Sequence, residues 1–104
     1  MDKDRGKIVL NGFNLEPAER AIVDNTISNY IHKIRERVDY EEFRLRLKQR
    51  QYGKTFLHEV EGNIRIGSNI MTAKVTGYNL FAVLADVLEK LLNEAVHKTR
   101  TRRQ

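Results

Sequence analysis

Residues 43–50 read Phe-Arg-Leu-Arg-Leu-Lys-Gln-Arg. Phe43, Leu45 and Leu47 alternate with Arg44, Arg46 and Lys48, and Arg50 continues the cationic set. Side chains of a strand point to opposite faces with a period of two, so this segment makes a strand with one apolar and one basic face. A helix would scatter both sets around its circumference. The chain must therefore build a sheet with one face buried and the other open and cationic. Such an open face is either ordinary solvated charge or a surface for a polyanion.

The remaining elements follow from local signals. Residues 7–11 are short and β-prone, with Ile8 and Leu10 on one side. Glu16-Pro17 marks a helix start, because proline is favoured at the first helical position. The helix is expected over 17–37, with Val23, Ile27, Tyr30, Ile34 and Val38 as its apolar stripe. Glu16 and Glu19 at its start and Lys33, Arg35 and Arg37 near its end suit the helix dipole. A second long strand is expected over 55–66, with Phe56, Val60, Ile64 and Ile66 inward. A third follows over 70–76, with Met71, Ala73 and Val75 inward. Asn79 is a good N-cap for a final helix over 80–98. Its core stripe is Phe81, Leu84, Leu88, Leu91 and Ala95, widened by Val87 and Leu92.

This order predicts an α+β fold, a two-layer β-α-β-β-β-α sandwich with two helices on one face of a four-stranded sheet. The whole of 1–104 reads as one domain, with a flexible N-terminus over 1–6 and a basic tail over 99–104. A turn centred on Tyr52-Gly53 would set Leu45 opposite Val60 and Leu47 opposite His58 on the inner face. On the outer face it would set Arg44 opposite Glu61 and Arg46 opposite Glu59, leaving Lys48, Arg50 and Lys54 without a facing carboxylate. A turn at Ser68-Asn69 would set Ile66 opposite Met71 and Ile64 opposite Ala73.

Composition narrows the function. Nineteen Lys and Arg against fourteen Asp and Glu give a net charge of +5, which favours polyanionic partners. There is no cysteine, so disulfides and thiolate chemistry are excluded. No apolar run is long enough to span a membrane and no secretory signal opens the chain, so a soluble cytoplasmic protein is expected. Gly53-Lys54-Thr55 resembles the end of a phosphate-binding loop, but Lys48 stands where the loop's first glycine belongs. His32, His58 and His97 fall on three different elements without metal-ligand spacing. Neither Ser28 nor Ser68 sits in a nucleophile elbow. No enzyme activity, cofactor, metal or small-molecule substrate is expected. The chain's end carries Lys98, Arg100, Arg102 and Arg103 close after Lys90 and His97, either as dipole-compensating charge or as an arm for phosphates.

Several local patterns, taken in order, resemble the ribosome hibernation-promoting factor family, also called ribosome-associated inhibitors. Ile8-Val9-Leu10-Asn11-Gly12, then Glu16-Pro17-Ala18 and Arg20, look like that family's first strand and helix start. Ile64-Arg65-Ile66 with Gly67-Ser68-Asn69 looks like its third strand and turn. Gly77, Asn79-Leu80-Phe81-Ala82 and Leu88-Glu89-Lys90-Leu91 look like its closing junction and helix. The resemblance implies a short-form member that binds the small ribosomal subunit through ribosomal RNA and blocks translation under stress. It implies RNA contacts from basic residues of both helices, here Arg20, Lys33, Arg37, Lys90, His97, Lys98, Arg100, Arg102 and Arg103. Thr26, Asn29, Asn93 and Val96 stand where such members often carry cations. Two other readings stay open: a double-stranded RNA-binding module, whose α-β-β-β-α core this order contains, and a non-catalytic protein-interaction domain. The first lacks a cation in Gly77-Tyr78-Asn79-Leu80, where duplex binders are lysine-rich.

Overall fold

The computed structural model describes residues 7–102, with side chains as far as His97. The element order is β1 (Lys7–Asn11), α1 (Pro17–Arg35), β2 (Glu42–Tyr52), β3 (Thr55–Ile66), β4 (Asn69–Gly77) and α2 (Leu80–Arg102). The four strands form one sheet in the order β1-β2-β3-β4. β1 runs parallel to β2, which requires a crossover, and α1 supplies it. β2, β3 and β4 are joined by tight hairpins and pair antiparallel. The α+β two-layer arrangement expected from the sequence is the one observed.

The core lies between the helices and a single sheet face. Phe43, Leu45 and Leu47 of β2, Val60 and Ile64 of β3 and Met71 of β4 are buried against Val23, Ile27, Ile31 and Ile34 of α1 and the apolar stripe of α2. Leu45, Leu47, Val60, Ile64, Ile27, Ile34, Leu84 and Leu88, all expected on apolar faces, are buried. Gly62 lets α2 approach β3 closely. A Cβ there would lie 2.7 Å from Leu91 Cδ1, 3.0 Å from Leu45 Cδ2 and 3.1 Å from Val87 Cγ1.

Four local expectations need correction. Both hairpin registers are displaced by two residues: Leu45 faces Gly62 and Leu47 faces Val60, while Ile64 faces Met71 and Ile66 faces Asn69. The reason is the position of glycine in the loop. Gly53 (φ +60°) and Gly67 (φ +59°) are each the first residue of a two-residue loop, completed by Lys54 and Ser68. No described non-glycine residue has positive φ, which suits turns that need that conformation only at their first central position. A shift of two keeps every side chain on its face.

In α1 the buried stripe is Val23, Ile27, Ile31 and Ile34, whereas Tyr30 and Val38 are half-buried. Tyr30 instead bridges the helices at their surface, its hydroxyl donating to Glu89 Oε1 of α2 at 2.9 Å. That bond, with partial burial and the nearby charges of Glu89 and Asp86, raises the phenol above its usual range. Phe56 is 48% exposed: it pairs with Gln51 near the hairpin tip and lines an open hollow with Pro17 and Glu19 at the start of α1. α1 stops at Arg35, two residues early, while α2 runs on to Arg102, through part of the expected tail. Asn79 does cap α2, its Oδ1 accepting from the Ala82 N–H at 3.1 Å. The expected N-terminal segment 1–6 and residues 103–104 lie outside the described residues.

Candidate nucleic-acid interface

Charge is divided unequally between the two layers. The strands and their hairpins, residues 7–11 and 41–78, carry eight Lys and Arg against four carboxylates. Residues 12–40 and 79–97, which hold the helices, carry five against eight. Counting Lys98, Arg100 and Arg102 of α2 as well brings the helical layer only to balance, at eight against eight. All charged strand residues lie on the outer sheet face, since Phe43, Leu45 and Leu47 take the inner positions of β2. The excess of positive charge therefore sits on the open face, away from the helices.

The cations of that face differ in how far they are committed. Arg44 is held by Glu42 on its own strand, its Nε 2.8 Å from Oε2. This bond to Arg44 holds the Glu42 carboxyl below the usual carboxylate range, assisted by the charges of Arg65 and Lys7. Arg65 reaches Glu41 at 2.5 Å and Glu42 at 3.7 Å. Lys74 lies 3.9 Å from Glu59. Arg46, Lys48, Arg50 and Lys54 form no ion pair among the described residues. In the observed register Arg46 lies beside Glu61 and Lys48 beside Glu59, yet neither closes to bonding distance. The expected pairing of Arg44 with Glu61 and Arg46 with Glu59 does not form. These four exposed cations run along β2 to the hairpin tip, where Tyr52 is 49% exposed.

The residues expected from the sequence to contact RNA are dispersed over the helical layer. Arg20 is engaged with Asp24 at 2.9 Å, and its Nη1 donates to the Phe13 carbonyl at 3.4 Å. Lys33 Nζ sits 5.1 Å from the centre of the Tyr30 ring. Arg37 belongs to the turn that ends α1, its N–H donating to the Ile34 carbonyl at 2.9 Å. Lys90 and His97 come together on α2, lining a shallow hollow with Thr72, Ala73, Asn93 and Glu94. Lys98, Arg100 and Arg102 continue the same helix, and Arg103 falls outside the described residues. α2 starts at the sheet end where β4 finishes, so its basic C-terminal turns lie at the end opposite the β2–β3 hairpin tip. Sequence reasoning noticed the β2 cations but gave two of them facing carboxylates. The excess was countable element by element before any register was assigned.

Among the described residues no group of three His, Asp or Glu could hold a metal ion, and no helix is long and apolar enough to cross a membrane. The hollows are shallow and open, such as one lined by Glu42, Arg44, Asn63, Arg65, Ile70 and Thr72 on the outer sheet face. His58 is half-buried, its Nδ1 3.1 Å from Gln49 Nε2, and packs as an inner-face residue.

No protein-family profile matches the chain, and no curated protein matches its sequence. Solved structures do match its fold. A ribosomal subunit interface protein from Coxiella burnetii superposes with a TM-score of 0.59, covering 91% of this chain and 97% of that one at 11% identity. The N-terminal domain of Thermus thermophilus Protein Y superposes with a TM-score of 0.54, covering 88% and 93% at 13% identity. Over nearly its whole length, the chain has the fold of a ribosomal subunit interface protein and of the Protein Y N-terminal domain.

Proposed function

We propose that this protein binds the small ribosomal subunit through ribosomal RNA and inhibits translation by occupancy, as a cytoplasmic hibernation factor. The observation that carries this reading is the fold, shared across 91% of the chain with a ribosomal subunit interface protein. The electrostatics support it: the net charge is +5, and the outer sheet face carries cations free of ion pairs among the described residues. On this reading the basic C-terminal half of α2, with Lys90, His97, Lys98, Arg100 and Arg102, supplies one set of phosphate contacts, and Arg103, next in sequence, adds to it. Lys33 and Arg37 border α1's end, and Arg20 contributes least because Asp24 already holds it. No bond is made or broken, so inhibition is stoichiometric and reversible.

Cosedimentation with purified small subunits, repeated across a salt series, tests the reading. Binding at moderate salt, released at high salt with the subunits fully active, is the expected result. Absence of cosedimentation, or a substoichiometric and irreversible loss of translation in an extract, would overturn it.

A further inference from the structure

We propose that the outer column of β2 and the β2–β3 hairpin tip form a seat for single-stranded RNA. Arg46, Lys48, Arg50 and Lys54 would take successive phosphates, and Tyr52 would stack on a base. The proposal rests on the RNA-binding part of the reading above, and it assigns the contact to the layer opposite the helices.

Three observations carry it. First, these four cations have no ion-pair partner among the described residues, whereas Arg44, Arg65 and Lys74 on the same face are each paired. An unpaired exposed cation can displace counterions from RNA without first giving up an internal partner. Second, Arg46, Lys48 and Arg50 are alternate residues of one strand, spaced by about 6.6–6.8 Å. That spacing is comparable to the one between phosphates of an extended nucleic-acid strand. Third, an exposed aromatic stands at the end of the column. Tyr52 closes β2 at 49% exposure, and Tyr78, 66% exposed, follows β4 at the same end of the sheet. Cationic grooves with exposed aromatic rings suit single strands, because every base has a face to stack.

The neighbouring column argues against a duplex. Glu59 and Glu61 of β3 lie directly beside Lys48 and Arg46, at an interstrand distance of about 4.8 Å. The cationic strip is therefore narrow and flanked by carboxylates. One extended backbone fits along it, whereas a wider duplex would bring phosphates over the glutamates.

The test uses the full chain and a fluorescent single-stranded RNA oligomer, read by anisotropy. The variant is Arg46→Gln/Lys48→Gln/Arg50→Gln. Glutamine is chosen because glutamate would face Glu59 and Glu61 and weaken the sheet. A thermal melt confirms that the variant folds. Its affinity should fall about tenfold or more, and the slope of log affinity against log salt should flatten by about 2. Tyr52→Ala should lose about fivefold or more with the slope unchanged. Arg35→Gln, a cation of α1 outside the assigned contacts, should stay within about threefold of the wild type. An unchanged affinity and slope in the triple variant would overturn the proposal, as would a duplex RNA that competes as well as the single strand. A photoreactive phenylalanine analogue placed at Tyr52 should crosslink to RNA on small subunits. Crosslinks only to ribosomal protein would overturn the assignment. If the wild type fails to cosediment with subunits, the ribosomal reading falls, and the oligomer assay still decides the sheet face.

Discussion

Gly62→Ala is the sharpest single test of the packing that sets the two layers at their distance. The added Cβ would lie 2.7 Å from Leu91 Cδ1, 3.0 Å from Leu45 Cδ2 and 3.1 Å from Val87 Cγ1, all closer than ordinary carbon contact. Leu45 and Val87 are fully buried and Leu91 is 1% exposed, so none can swing away into solvent. Overpacking of this kind costs about 1–3 kcal/mol. Against it stands a gain of about 0.4–1 kcal/mol from stiffening the unfolded chain. The net expectation is a loss of about 1–2 kcal/mol in a urea titration, with the m-value unchanged. Leu91→Ala alone should cost about 2–5 kcal/mol. Combined with Gly62→Ala it should cost less than the sum, because the shortest contact is removed, with a coupling of at least about 0.5 kcal/mol. A neutral or stabilising Gly62→Ala, or strict additivity in the double variant, would refute the close seat of α2 on β3.

Other outcomes follow from the same structure. Leu88, fully buried on α2, should cost about 2–5 kcal/mol as Leu88→Ala in the same titration. Asn79→Ala removes the side-chain bond to the Ala82 N–H and should cost about 0.5–2 kcal/mol, read as a lower unfolding midpoint. A chain ending at His97 should bind small subunits more weakly and with a flatter salt dependence, because fewer ions are displaced. The Glu42 carboxyl is held low in the folded protein, so its contribution is present above the unfolded carboxylate range and lost as pH falls through its own lowered value. Glu42→Gln should therefore make stability less sensitive to acid between about pH 5 and 3, as followed by thermal melts.

What could be read directly from the sequence was whatever depends on period. Phe43, Leu45 and Leu47 alternate with charge, so their face was legible, and the helices' apolar stripes placed Ile27, Ile34, Leu84 and Leu88 in the core. Quantities that depend on where a period begins or ends were less legible. Gly53 could stand first or second in its two-residue loop, and Gly67 just before its loop or first within it, and either choice displaces a whole hairpin by two residues. Phe56 has the inner parity of β3 but borders an open hollow beside the start of α1, which leaves it half exposed. Tyr30 and Ile31 are adjacent on α1; Ile31 turns into the core while Tyr30 lies at the seam with α2, where its hydroxyl meets Glu89. For the candidate site the sequence showed which cations exist but not which are engaged. Arg20 reads as an available helix cation until Asp24, four residues on, is seen to hold it.

The two-residue displacement alters function more than fold. It leaves every inner residue inside, so the core is indifferent to it. On the outer face, however, it changes which charges are neighbours. The expected register makes Arg44 and Arg46 face Glu61 and Glu59, neutralising the middle of the strand. The observed register sets Arg44 opposite Asn63, and Arg44 turns along its own strand to Glu42. Glu59 is near enough to β4 for Lys74 to approach it at 3.9 Å, leaving Lys48 beside a carboxylate that already has a cation. Arg46 keeps Glu61 beside it but at no bonding distance. Glu41 and Glu42 are thus engaged by Arg44 and Arg65 at one end of the face and Glu59 lies within reach of Lys74, while Glu61 stays beside Arg46 without closing on it. β2 presents Arg46, Lys48 and Arg50 to solvent, in line with Lys54 at the tip. An exposed ion pair is worth about 0–1 kcal/mol, so satisfying these cations internally would add little to stability. The same cations, left open, can each contribute to binding a polyanion by releasing its counterions. The distribution of pairs on this sheet therefore costs the fold almost nothing and concentrates the available positive charge where an RNA strand could lie.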